Sequence, residues 1–198
     1  MLAGLRYLDH RVFFWINNGW WHPMLHGFFE GLSSLGAWTI GLLALAYLLG
    51  RGQRVLRRHA PVLLVFAVLA CTVNTTLKRL INRRRPASAF REQIAAGTVT
   101  VNVLEKHTPR RFGFPSGHSM LAFFFLTYLG LCDRRCMPCA WSLAALVAVS
   151  RVYVGAHFPA DCVAGALFGA AWGAAAWRAG RALPWRREVR NDAQQPAE

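Results

Sequence analysis

The sequence predicts an all-α integral membrane protein of about six helices, five of them spanning, with an N-terminal helix lying in the membrane interface. Three observations lead there. Hydrophobic residues make up 55% of the 198 residues and charged ones 16%, and the apolar residues come in long runs broken by arginine clusters, as in a chain embedded in a bilayer. The arginines behind the +14 net charge lie mainly at the ends of those runs, where cytoplasmic loops collect them. The length suits a single domain. So basic a chain would otherwise suggest nucleic acid, but no zinc-finger, RNP or basic-region pattern is present. The expected partners are therefore anionic membrane lipids and phosphate, with no nucleic acid.

In chain order, Leu5, Leu8, Val12 and Trp15 fall at helical spacing, with Arg6, Asp9 and Asn17 elsewhere on the wheel and Trp20 and Trp21 following. This is the pattern of an interfacial helix, assigned to residues 1–22. Its polar residues also interrupt any apolar core that a cleavable signal peptide would need. Gly31 to Gly50 is the first predicted span and ends at Arg51, Arg54, Arg57 and Arg58, which mark a cytoplasmic loop. Ala60 to about Leu80 is the second span. A polar stretch over residues 82–114 follows, long enough in so small a protein to be functional. Ser116 to Cys132, Met137 to about Val154, and Pro159 to Trp177 supply the remaining spans, with a short basic turn at Asp133 to Arg135. Gly165, Gly169 and Gly173 repeat every fourth residue and are assigned to close helix packing.

Residues 1–180 are thus read as one membrane domain and 181–198 as a basic, polar cytoplasmic tail. Five spans then place the 82–114 loop and Ser150 to Phe158 outside, on one face. The arginines of that loop run against the positive-inside pattern, which is explained if they bind substrate. Cys71, Cys132, Cys136, Cys139 and Cys162 form no disulfide framework and lack the companions for a zinc site, so free thiols are expected.

Three stretches carry chemistry. In SRVYVGAHFPAD (Ser150–Asp161), His157 and Asp161 are four apart with Pro159 suited to a first helical turn. A carboxylate stacked beneath an imidazole can hold it in one tautomer while the other ring nitrogen faces a substrate; a capping aspartate would have the same spacing. In KRLINRRRP (Lys78–Pro86), Lys78 and Arg85 share a face for as long as the helix lasts, and Pro86 disfavours helical geometry at Arg85. In PSGH (Pro115–His118), Ser116, Gly117 and His118 offer backbone N–H groups, a hydroxyl and an imidazole at a helix amino end, an anion site or an ordinary serine cap.

Taken together, KxxxxxxRP, PSGH and SRxxxxxHxxxD resemble the type 2 phosphatidic acid phosphatase superfamily, which includes vanadium haloperoxidases and bacterial acid phosphatases. All eleven fixed positions match. The resemblance covers Lys78 to Asp161. It implies that Lys78, Arg85 and Arg151 bind phosphate with help from Ser116 and the Gly117 N–H, that His157 is the nucleophile oriented by Asp161, and that His118 is the general acid. It also implies hydrolysis of a lipid phosphate or diphosphate through a phosphohistidine, without cofactor or metal, in a bacterial inner membrane with the site facing the periplasm. The residue types agree: phosphoryl transfer needs cations around the non-bridging oxygens and an in-line nucleophile. The external stretches offer only Glu92, Glu105 and Asp161 as carboxylates, unpaired at ligand spacing, against a two-metal or magnesium site. Undecaprenyl diphosphate is the favoured substrate, phosphatidylglycerophosphate or phosphatidate next. A lipid phosphotransferase and a non-catalytic lipid-binding or transport relative are the alternatives. The sequence does not set the oligomeric state.

Overall fold

The computed structural model describes residues 2–34, 36–104 and 111–182, whose regular elements are all helical, with no strand among them. The helices are α1 (Leu2–Asn17), α2 (Pro23–Ser34), α3 (Gly36–Gly50), α4 (Gln53–Ile81), α5 (Pro86–Ala89), α6 (Arg91–Ala95), α7 (Gly117–Cys132), α8 (Met137–Tyr153) and α9 (Pro159–Ala182), with a 3-10 turn at Arg134–Cys136. The predicted starts at residues 116, 137 and 159 hold to within one residue. Each has a local cause: Ser116 caps α7, Pro138 lies in the first turn of α8, and Pro159 opens α9. The predicted first span is instead divided between α2 and α3.

By length and hydropathy, the helical run Arg57–Ala95 and Arg134–Tyr153 each suffice to cross a membrane, and Pro23–Ser34 with Thr39–Gly50 makes a third if counted as one bent span. Among the described residues two or three candidate spans thus meet the length and hydropathy requirement, fewer than the five expected. α7 is apolar but only 16 residues long, about 24 Å at the helical rise and short of a bilayer core of roughly 30 Å. α9 has the length, but Asp161, Arg178 and its glycines and tryptophans lower its hydropathy. The apolar side chains left outward, among them Leu42, Leu43, Leu64, Val68, Leu167 and Phe168, belong to a surface made for lipid.

α7 is the central helix. It packs most extensively on α9, then on α8 and α3, around a core containing Leu48, Leu63, Ala70, Phe124, Tyr128 and Ala144. The Gly165, Gly169 and Gly173 stripe is what lets α9 approach: a Cβ at these positions would run into the backbone carbonyls of Ser116, Met120 and Phe124 respectively. The packing role assigned from the four-residue repeat is therefore the observed one.

A second cluster sits at the other end of α8 and joins Phe13, Ile16, Phe29, Phe90, Tyr153 and Phe158. It brings α1 into the body of the protein. Leu5, Leu8 and Trp15 face outward, as an interfacial helix requires, while Asp9, Phe13, Ile16 and Asn17 are buried. Two residues that the wheel set aside as polar thus make the inward contacts. Asn17 stitches the 82–114 loop in place: its Nδ2 donates to the carbonyls of Asn102 and Tyr153, both at 2.8 Å, and its Oδ1 accepts from the Asn102 N–H at 2.8 Å. Gly155 turns beneath this segment with φ of 74°, where a side chain would meet the Asn102 carbonyl. Cys71, Cys132, Cys136, Cys139 and Cys162 are all free. The expected tail, apart from residues 181 and 182, lies outside the described residues, as do Glu105 and Arg110.

Candidate active site

α4 stops at Ile81 because Asn82 adopts the left-handed conformation and its N–H closes on the Lys78 carbonyl. The helix thus ends at Ile81 and not at Arg85, where Pro86 was expected to end it, so Lys78 and Arg85 share no helical face. Arg83 to Arg85 run outside the helix, and Arg85 takes the extended geometry that Pro86 imposes on it. The turn folds Arg85 inward, where Nη1 donates to the Ala156 carbonyl at 3.4 Å, while Lys78 Nζ donates to the Phe112 carbonyl at 3.4 Å. Arg151, in the last turn of α8, is buried and its Nη1 donates to the Ser33 hydroxyl of α2.

These three cations converge on one imidazole. His157 is 1% exposed. Burial pushes it well below its ordinary 6.5, and Arg85, Arg151 and Lys78 push it the same way, with the Gly113 backbone opposing. His157 is therefore held neutral amid concentrated positive charge.

Asp161 is fully buried in the first turn of α9. Its Oδ2 accepts the Phe158 N–H at 2.9 Å, the backward half of a capping box, and lies 3.7 Å from His157 Nδ1. The sequence-predicted pair is brought together, but at a separation longer than a hydrogen bond. His157 lies before the helix, so the turn at Phe158, and not a helical stack, sets that separation. Ser116 is also fully buried. Its Oγ is engaged by the Ser119 N–H and hydroxyl at 3.5 and 3.2 Å, and its own N–H donates to the Asp161 carbonyl at 2.9 Å. The serine is thus a helix cap that ties α7 to α9. Gly117 and His118 open α7, half-buried, and a Cβ on Gly117 would press on Asn74 Nδ2 at 3.2 Å.

Two residues at this end make contacts that the sequence did not foretell: Asp9, and Arg83, which was read only as one of the loop arginines that bind substrate. Arg83 Nη1 reaches Asp161 Oδ1 at 2.6 Å while its Nη2 reaches Asp9 Oδ2 at 2.5 Å. Asp9 Oδ1 in turn accepts the Ala160 N–H at 2.8 Å, and the Arg83 guanidinium lies over the Phe158 ring, 4.7 Å from its centre. Asp9 therefore joins the carboxylates at this end. A helical wheel gave no signal for it, because Asp9 shares α1 with Arg6, His10, Arg11 and Asn17. Nothing in an arginine triplet distinguishes Arg83 from its neighbours. Among the described residues no three His, Cys, Asp or Glu side chains come together at metal-binding separation.

Residues 58–185 match the PAP2 superfamily. The chain belongs to that family. Among curated relatives of this PAP2 protein, the decaprenylphosphoryl-5-phosphoribose phosphatase of Mycobacterium tuberculosis is 31% identical over 145 residues, covering 73% of this chain and 75% of the relative. Phosphatidylglycerophosphatase B of Bacillus subtilis is 30% identical over 156 residues, covering 72% and 69%. Among solved structures, LpxE of Aquifex aeolicus superposes with a TM-score of 0.71 at 28% identity over 86% of this chain and 95% of that one. The PAP2 fold thus extends beyond the motif-bearing segment, where the sequence resemblance ended at Lys78, and takes in most of the chain.

Proposed function

We propose that this PAP2 protein is a membrane lipid phosphatase in which His157 attacks a terminal phosphoryl group through Nε2. The observation that carries the reading is the neutral, buried His157 set among Lys78, Arg85 and Arg151. A neutral imidazole keeps the lone pair that attack requires, and three fixed cations stabilise the charge on the non-bridging oxygens. Closing the 3.7 Å separation from Asp161 to about 2.9 Å lets Nδ1–H donate a hydrogen bond to the carboxylate and directs the Nε2 lone pair at phosphorus. As the N–P bond forms, the P–O bond to the leaving group breaks and His118 gives that oxygen its proton. Water then attacks the phosphohistidine, His118 takes the proton, and His157 is released with free phosphate. The Gly117 N–H at the amino end of α7 adds a donor for the phosphoryl oxygens; Ser116 supports that end as its cap. In this reading residues 1–180 act as one domain with five spans, including the shorter α7 and the glycine-rich α9, in a bacterial inner membrane with the site on the periplasmic side.

The substrate we propose is a lipid with two phosphoryl groups of which the outer is removed, undecaprenyl diphosphate foremost. A polar recess of about 430 Å³ beside the α4 to α5 turn supports this: Arg84, Arg91 and Arg111 line it, with Glu92 as the one carboxylate and Ser88 and Gln93 as further donors. Arg84 directly precedes Arg85 in the motif segment, and arginines suit a second phosphate in this recess. The named substrates of the Mycobacterium and Bacillus relatives also carry two phosphates. Arg110, expected to contribute, lies outside the described residues.

Purified protein in mixed micelles tests both levels, with free phosphate as the readout. Release from undecaprenyl diphosphate with a higher kcat/KM than from phosphatidate, and a gap that narrows in Arg84→Ala, is the expected result. No release from any lipid phosphate would remove the phosphatase reading. Equal turnover of phosphatidate, indifferent to Arg84→Ala, would remove the two-phosphate substrate alone.

A further inference from the structure

We propose that Arg83 is a positioning residue of this active site, clamped between Asp161 and Asp9 so that α1 fixes the carboxylate that orients His157. The inference rests on the phosphatase reading above and adds to it two residues, one of them at the opposite end of the chain from the catalytic motifs.

The geometry is that of a bridge. One guanidinium nitrogen is 2.6 Å from Asp161 Oδ1 and another is 2.5 Å from Asp9 Oδ2, so a single planar fork spans two carboxylates, which a point-charge ammonium cannot do. The fork has little freedom left. Phe158 lies beneath it, and Asp9 is itself fixed through Oδ1 by the Ala160 N–H of α9. Asp161 has nowhere to turn either, since Phe158 N–H holds Oδ2. The oxygen facing His157 is therefore set by the Phe158 N–H and by the Arg83 contact on the other oxygen. Displacing Arg83 would let the carboxylate rotate about the remaining bond and lose its aim at Nδ1.

Charge points the same way. Asp161 is fully buried and Asp9 is 8% exposed, and a buried carboxylate without a cation is better off protonated. Lys78, Arg85 and Arg151 also lie near, but they surround His157, where the substrate's own negative charge will engage them. Arg83 lies within hydrogen-bond reach of both carboxylates. Further titratable or charged neighbours are His10 on α1, which lies near Asp9 and Arg83 and stacks on Phe158, Arg6 near His10, and Cys162 near Asp161.

The test is the pH dependence of phosphate release by full-length protein bearing Arg83→Gln, Arg83→Lys or Asp9→Asn, checked first for monodisperse elution in detergent. Arg83→Gln should lower kcat roughly 10- to 100-fold, the scale of a misplaced catalytic group, with KM little changed. Its acid limb should move to higher pH, because a carboxylate that has lost its cation takes up a proton more readily. Arg83→Lys should return the limb toward wild type while kcat stays reduced, since charge is restored and the bridge is not. Asp9→Asn keeps the acceptor for Ala160 and should lose several-fold in kcat; it carries the test alone if Arg83→Gln does not fold. Wild-type kcat and acid limb in a folded Arg83→Gln or Asp9→Asn protein would overturn the proposal, as would a loss confined to KM, which would make Arg83 a substrate ligand. In each case the wild-type control still releases phosphate. A wild-type protein that releases none would overturn the function itself.

Discussion

Gly165→Ala adds one methyl group where α9 crosses the start of α7, and its effect can be worked from the contacts. The new Cβ would run into the Ser116 carbonyl and come within 3.2 Å of both Met120 N and Ser119 Cβ. A carbon approaches a carbonyl oxygen no closer than about 3.3 Å, so the helices must separate by roughly 1 Å. Ser116 is the residue displaced. Its N–H holds the Asp161 carbonyl at 2.9 Å and its carbonyl accepts the Met120 N–H at 3.0 Å, so the shift moves the α7 amino end away from the His157 side of the site. Overpacking of this kind costs about 1–3 kcal/mol, and a 1 Å displacement of catalytic groups costs on the order of 100-fold in rate. Gly173→Ala is the control. It meets the Phe124 carbonyl in the same way but lies about 12 Å further along the helix, so it should lower stability comparably and rate much less. Thermal unfolding in detergent and single-turnover phosphate release, measured on both variants, check the pair. Full activity in Gly165→Ala, or equal rate loss in the two, would show that this helix contact does not position the site.

His157→Ala should abolish both turnover and labelled phosphoenzyme, whereas His118→Ala should slow turnover least for substrates with a good leaving group, which need no proton; histidine labelling that survives in His157→Ala refutes the assignment. Hydrolysis should persist in excess EDTA and be blocked by vanadate, which can take a trigonal-bipyramidal geometry on His157, and activity lost on chelation and restored by magnesium would refute the mechanism. The depressed affinity of His157 for protons makes stability depend on pH: below 6.5 the unfolded chain binds a proton there that the folded chain refuses, so stability should fall on acidification from pH 6.5 by up to about 1.4 kcal/mol per pH unit. His10 is shifted the same way, and comparison with His157→Gln isolates the His157 share through melting curves at stepped pH; an unchanged slope in that variant would refute it. In a cysteine-free background, Thr100→Cys should react with an impermeant thiol reagent in intact cells and Gln53→Cys should not, and the reverse pattern would place the site in the cytoplasm.

What the sequence made legible followed from local rules. The cap at Ser116 and the prolines of α8 and α9 announced their helices, and the four-residue glycine repeat announced a close crossing, because each of these depends on residues within a turn or two. The motif residues could be named because the three stretches together match the order and spacing of the superfamily's motifs, with which phosphate chemistry agrees. The missed features depend on the path of the chain through space. That Asn82 would end α4 at Ile81 is a choice between two conformations that an asparagine tolerates almost equally. That α1 would turn Asp9 and Asn17 inward could not be read from a wheel, since burying a carboxylate is favourable only where Arg83 and the Ala160 N–H wait for it. The break between α2 and α3 falls at Ser33, Ser34 and Gly36, small residues that a spanning helix also tolerates, so hydropathy alone does not mark it.

The hydrogen bond from Ala160 to Asp9 joins residues 151 apart in sequence, and it has a consequence for biosynthesis. A chain is made from its amino end, so Asp9 and α1 leave the ribosome long before the residues they hold. Until α9 has been inserted, Arg83 has one of its two carboxylates, α7 lacks the partner for its glycine-lined groove, and His157 has nothing to turn it. A nascent or prematurely ended chain would therefore carry Lys78, Arg85 and the serine cap into the bilayer without any hydrolytic capacity. Only the last helix closes the circuit, and the membrane meets a working phosphatase only when synthesis of the helical domain is finished.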